Sequence, residues 1–108
     1  MGDFNEFLEA MRGNLLKIAD GSFMKYSKQI THDGIEFAKI LEEDLKSWGA
    51  EYSIHEMTKE EFVDLIKSKK ELLEMEALKK ENLPRTELNK IRNAIVESVT
   101  ETAVKVLL

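Results

Sequence analysis

The sequence predicts an all-α fold in which a long amphipathic N-terminal helix and a C-terminal αα-hairpin form a helical bundle. Three observations support this class. Apolar residues recur every three or four positions along most of the chain, which places them on one face of a helix. Charged residues make up 34% of the 108 residues, above the usual quarter or so, as expected of helices with solvated faces. The chain also has a single proline, a residue that interrupts helix interiors.

The first helix is predicted over residues 4–48. Asp3 followed by Glu6 forms a capping-box pattern at its start. From Leu15 an apolar stripe advances in steps of 4, 4 and 3 residues until it ends at Trp48. This repeat is close to the period of a straight α-helix. The stripe therefore favours one continuous helix, about 65 Å long.

A break near Gly21 or Gly34 is the alternative. Glycine inside a helix costs about 1 kcal/mol relative to alanine, and the stretches "ADGS" and "THDG" are typical of helix ends. With such a break, the first segment would fold back and complete a monomeric four-helix bundle. The apolar stripe keeps its phase through Gly34, however, which favours continuity at that position.

The first helix is expected to end at Trp48, because Gly49 can adopt the left-handed conformation that closes a helix. Residues 49–57 are then predicted to form an ordered loop. We expect Trp48 to be at least half-buried, with its ring against Tyr52 or Phe62.

The αα-hairpin is predicted over residues 58–82 and 84–107. Thr58 and Glu61 form a second capping box at the start of its first arm. Pro84 suits the first turn of a new helix, and apolar residues at steps of three and four follow it. Residues 1–108 are expected to form a single domain, since this length is near the commonest domain size.

Composition and charge exclude several classes of function. The absence of cysteine excludes disulfides, thiolate metal sites and cysteine nucleophiles. A net charge of −5 argues against nucleic acid as a partner. No apolar run reaches the length of a membrane span, and acids precede the first base, unlike a signal peptide. These features predict a cytoplasmic protein.

The sequence predicts no catalytic, cofactor or metal site, and we expect that the protein is not an enzyme. His32 stands four residues before Glu36, and His55 stands four after Glu51, but neither pair belongs to a His-Glu-x-x-His motif. The chain also lacks a Gly-x-Ser-x-Gly elbow and a glycine-rich phosphate loop. The histidines are expected to be loop or surface residues.

The favoured function is that of a small structural or protein-interaction protein that acts as a homo-oligomer. A helix over residues 4–48 would carry more apolar stripe than the hairpin could cover, and a second copy is the simplest partner. Residues 10–30 contain four basic residues and one acidic residue, whereas residues 33–46 contain five acidic residues and two lysines. This asymmetry favours an antiparallel, coiled-coil-like homodimer. The predicted interface consists of Phe23, Tyr26, Ile30, Gly34, Phe37 and Leu41.

Two other partners stay open. Residues 10–30 form a cationic amphipathic segment with aromatic side chains, and such segments bind lipid interfaces. Membrane-surface binding is therefore the alternative function, although a bundle core explains the same pattern. An unidentified protein partner is the other possibility.

Overall fold

The computed structural model describes residues 2–108, and this range contains six α-helices and no β-strand. The helices are α1 (Phe4–Ile18), α2 (Ser27–Ile40), α3 (Glu42–Ser53), α4 (Lys59–Ser68), α5 (Glu76–Lys79) and α6 (Arg85–Leu107). Two 3₁₀ turns interrupt the sequence of helices, Gly21–Tyr26 before α2 and Lys70–Leu72 after α4. The predicted all-α fold is confirmed.

Helices α1, α2 and α6 pack against one another, α4 packs on α6, and α5 packs on α2. The folded chain measures 44 × 23 × 19 Å along its principal axes. These helices share one core of buried apolar side chains. Burial of each large apolar side chain contributes about 1.5–3 kcal/mol to the free energy of folding. The largest fully buried side chains are Phe7, Phe37, Phe62, Met11, Leu15, Ile30, Leu41, Leu45, Ile66, Leu78, Ile91 and Ile95.

The predicted continuous helix over residues 4–48 is wrong, because the chain reverses between α1 and α2. Asp3 caps α1 as expected, its Oδ1 accepting from the Glu6 backbone N–H at 2.8 Å. The helix ends at Ile18, and Asp20 has extended backbone angles (φ −66°, ψ 140°). Asp and Gly are both poor helix formers, so the Asp20–Gly21 pair marks the break. Helix α2 then packs back against α1, which buries the stripe of each helix against the other.

Gly34 lies inside α2, and the helix continues through it. A Cβ atom at this position would lie 2.6 Å from Leu15 Cδ2. The missing side chain therefore allows α2 to approach α1 of the same chain. This close approach, rather than a crossing between two chains, gives Gly34 its structural role.

The predicted loop over residues 49–57 is wrong in its first part, because α3 continues through Gly49 to Ser53. The helix is closed instead at His55, which has φ 63° and donates its N–H to the Tyr52 carbonyl at 3.1 Å. Gly49 lies inside α3 and does not adopt the left-handed conformation. Only Leu41 separates α2 from α3, and the Leu45 N–H donates to the Leu41 carbonyl at 2.8 Å.

Trp48 packs edge-on against Phe62, with ring centroids 6.5 Å apart and an interplanar angle of 85°. The side chain is partly buried and belongs to the layer packed on the core. This contact joins α3 to α4 and agrees with the packing expected from the sequence.

The first arm of the predicted hairpin is shorter than residues 58–82. Thr58 and Glu61 form both hydrogen bonds of the capping box at the start of α4, but α4 ends at Ser68. Lys69 and Lys70 follow the buried Ile66 by three and four residues. These are the positions that would continue the apolar face of the helix. Charged side chains at these two positions disfavour extension of the helix along the same buried face.

The last helix, α6, spans Arg85–Leu107, within one residue of the predicted 84–107. Ile95 near its middle is fully buried. The Asn14 amide donates to Thr102 Oγ1 at 2.8 Å, which fixes the position of α1 along α6.

Candidate interaction surfaces

The structure places most of the predicted interface inside the single chain. Ile30, Gly34, Phe37 and Leu41 are all buried, and Phe23 and Tyr26 are partly buried against the core. The reversal before α2 brings this stripe against the chain's own α1. The four buried residues are covered by helices of the same chain, and no continuous first helix exists along which two copies could pair, so that arrangement of the dimer is corrected. A contact between copies must instead use side chains that this fold leaves exposed.

Five large apolar side chains remain exposed among the described residues. Leu16 (57% exposed) and Met24 (64%) belong to residues 10–30, which we call the basic segment. Ile40 (53%) and Leu72 (41%) border a groove between α2 and the chain that follows α4. Ile54 (62%) lies alone at the turn after α3. Contiguous exposed apolar area marks candidate sites of contact with a partner, and Ile40 and Leu72 line the same groove.

The groove has a volume of about 400 Å³, and its charged lining is acidic. We call it the acidic groove. Its lining residues are His32, Asp33, Glu36, Phe37, Ile40, Leu72, Leu73, Glu74, Met75 and Glu76. They include four carboxylates and neither lysine nor arginine. Within residues 2–108, no lysine or arginine nitrogen lies within 4.0 Å of the carboxylates of Glu36, Glu74 or Glu76.

Asp33 holds the two walls of the acidic groove together. Its side chain is only 4% exposed, and its oxygens accept from the backbone N–H groups of Ala77 (3.1 Å) and Leu78 (2.9 Å). His32 Nδ1 lies 3.2 Å from Asp33 Oδ1. Because these contacts satisfy the carboxylate, Asp33 positions α5 on α2. Within the described range, no group of three potential ligands is arranged to hold a metal ion.

Met75 forms part of the groove wall in a strained conformation. Its φ is 54°, which is unusual for a residue with a bulky side chain and costs roughly 1–2 kcal/mol. The side chain is buried, and α5 begins at the next residue. Strain of this kind occurs where the surrounding structure enforces it, often at functional sites.

The basic segment carries its cations next to exposed apolar side chains. Arg12 and Lys17 flank Leu16, and Lys25 follows Met24 and lies over the Tyr26 ring at 5.1 Å. In the part of the chain that the structure describes, no carboxylate lies within 4.0 Å of any of the segment's lysines or its arginine. The segment has the opposite charge to the acidic groove.

A second pocket, of about 510 Å³, lies between α5 and the first turns of α6. We call it the cationic pocket. Its lining residues are Met75, Lys79, Leu83, Arg85, Leu88, Asn89 and Arg92. Sequence analysis missed it, although Arg85, Asn89 and Arg92 are spaced four and three residues apart and so share one helical face.

The sequence could not reveal the acidic groove either. A helix over residues 58–82 would contain Leu72 and Glu74, whereas the break after Ser68 places both in the lining of the same groove as residues of α2. Lys69 and Lys70 were the available signal for this break.

No helix in residues 2–108 has the length and apolarity needed to cross a bilayer. Comparison of the chain with protein-family models, curated proteins and solved structures finds no match.

Proposed function

We propose that this chain is a small structural protein that self-associates, with the basic segment of one copy seated in the acidic groove of the next. One observation carries the proposal. Exposed apolar side chains lie beside positive charges on one surface and beside negative charges on another. Leu16 and Met24 have cationic neighbours, whereas Ile40 and Leu72 have carboxylates around them.

Affinity in this contact comes from removing apolar area from water, at about 25 cal/mol per Å², and from attraction between the opposite charges, which salt screens. Charge complementarity speeds the encounter and fixes which surface meets which. The two surfaces share no residue, so the contact is heterologous, and it builds a ring or an open chain of copies.

Two double variants test the contact, and both change only exposed side chains. Ile40→Gln with Leu72→Gln removes the apolar part of the groove, and Leu16→Gln with Met24→Gln removes that of the basic segment. We expect each double variant to be monomeric in sedimentation velocity under conditions where the unaltered chain associates. Ile54→Gln removes an equally exposed apolar side chain outside both surfaces, and it should leave association unchanged.

Mixing the two double variants distinguishes this contact from any symmetric one. Each partner retains one intact surface, so the mixture should form a one-to-one complex and grow no further. If the unaltered chain associates but the mixture stays monomeric, the copies meet through another arrangement. Equal loss of association in Ile54→Gln would likewise contradict the assigned surfaces.

A lipid surface is the second candidate partner for the basic segment. It is supported by the exposure of Leu16 and Met24 beside unpaired cations, a pattern found in helices that lie in a lipid interface. Co-sedimentation with vesicles containing anionic lipid tests it. Binding that is lost in the Leu16→Gln, Met24→Gln variant would support this function, and absence of pelleting at low salt would remove it.

A further inference from the structure

Arg92 raises a question that self-association does not answer. Its Nε atom is buried and, within the described part of the chain, has no hydrogen-bond partner. Burial of part of a charged group without a partner is costly, and unsatisfied buried polar atoms are uncommon in native proteins. The Arg92 guanidinium is therefore partly enclosed by protein at the wall of the cationic pocket.

The side chains around Arg92 favour a ligand of high negative charge. Lys79 and Arg85 line the same pocket, and no acidic residue does. Among residues 2–108, none of these three cations lies within 4.0 Å of a carboxylate. Three basic residues thus line one pocket in a protein whose net charge is −5. The pocket also lies at the N-terminal end of α6, where the helix dipole favours anions.

The other side of the pocket is apolar. Met75, Leu83 and Leu88 contribute its apolar lining, and Asn89 adds an amide. The volume of about 510 Å³ lies within the range of small-molecule sites, about 300–1,000 Å³. A ligand that fills this space needs an apolar group as well as an anionic one.

We infer that the cationic pocket binds a small organic phosphate, with the phosphate between Lys79, Arg85 and Arg92 and an apolar group against the leucines. A phosphate monoester carries about two negative charges at neutral pH, which match three cations better than a single carboxylate does. Guanidinium groups also donate paired hydrogen bonds to phosphate oxygens. This inference does not depend on self-association.

Isothermal titration calorimetry with three probes tests the ligand class. We expect phenyl phosphate to bind more tightly than inorganic phosphate, which lacks the apolar group, and more tightly than benzoate, which has one charge. Affinity of benzoate equal to that of phenyl phosphate would overturn the phosphate assignment. The absence of saturable binding by all three probes would overturn the site.

Arg92→Met separates a ligand-binding role from a structural one, because it keeps an unbranched side chain that replaces the arginine methylene groups and removes the guanidinium and its charge. Affinity for phenyl phosphate should fall about tenfold or more, as expected for one lost charge-assisted hydrogen bond. The thermal midpoint without ligand should stay the same or rise, since a buried unpartnered group has been removed. Arg12→Met, a matched change on the exposed face of α1, should leave the affinity unchanged. A lower midpoint with unchanged affinity would show that Arg92 is structural and would overturn the inference.

Vesicles distinguish a soluble phosphate from a lipid headgroup with the same chemistry. We expect phenyl phosphate to bind to the free protein, and Arg92→Met to have no effect on pelleting with vesicles that contain phosphatidic acid. Pelleting that depends on Arg92, without binding of phenyl phosphate, would contradict the small-ligand assignment.

Discussion

Gly13 and Gly34 both lie inside helices, but the space around them differs. Nothing lies within 4 Å of a Cβ placed on Gly13, whereas one placed on Gly34 would lie 2.6 Å from the buried Leu15 side chain. Helix propensity alone would favour alanine at both positions by about 1 kcal/mol. At Gly34 this gain is opposed by overpacking, which costs about 1–3 kcal/mol.

We therefore predict opposite effects of the two alanine substitutions on the free energy of unfolding. Gly13→Ala should stabilise the protein by about 1 kcal/mol, and Gly34→Ala should destabilise it by about 1 kcal/mol. Urea denaturation followed by circular dichroism measures both. Equal stabilisation by the two substitutions would mean that α1 and α2 do not approach each other at Leu15.

At the scale of elements, the link between α2 and α5 depends on Asp33. Asp33→Ala would remove two hydrogen bonds to a buried carboxylate and leave the N–H groups of Ala77 and Leu78 without their acceptor. We expect it to cost about 3 kcal/mol in unfolding free energy, and Asp33→Asn, which retains one carbonyl acceptor, to cost less. Glu36→Gln changes an exposed carboxylate on the same helix and serves as the control.

Hydrogen exchange locates the effect of Asp33→Asn. Exchange at the Ala77 and Leu78 amides should accelerate, because these N–H groups lose part of their acceptor, while the amides of α6 change only with global stability. If Asp33→Asn and Glu36→Gln alter stability and exchange equally, the carboxylate does not hold α5 in place.

The apolar stripe of the first 48 residues shows what periodicity could and could not establish. Its positions are buried or partly buried on both sides of the break, so the sequence identified part of the core, whereas the fully buried Phe7 and Met11 lie outside the stripe. The stripe keeps its phase because α1 and α2 face the same core, so continuity of phase does not establish continuity of the helix. Only the local chemistry of Asp20 and Gly21 marks the reversal.

The surfaces were harder to predict than the core, for a physical reason. A sequence pattern distinguishes the faces of one helix, but a groove depends on which elements pack together. Leu72 and Glu74 meet α2 only because Asp33 binds the start of α5 across 44 and 45 residues of chain. The charges of residues 10–30 were visible in the sequence, whereas their position relative to the acidic groove was not.

At the scale of the whole molecule, reversal of the chain changes which residues can meet a second copy. The long stripe no longer needs a second copy to cover it. Two smaller surfaces of opposite charge are left exposed instead. Attraction between them should weaken with added salt, because the screening length falls from about 8 Å at physiological ionic strength to about 3 Å at 1 M.

The molar mass of the unaltered chain, measured by light scattering over a range of protein and sodium chloride concentrations, tests self-association most directly. We predict a mass that rises above the 12.5 kDa of one chain as protein concentration increases, and that falls back toward this value as salt is added. A mass that stays at 12.5 kDa throughout would contradict the proposed function.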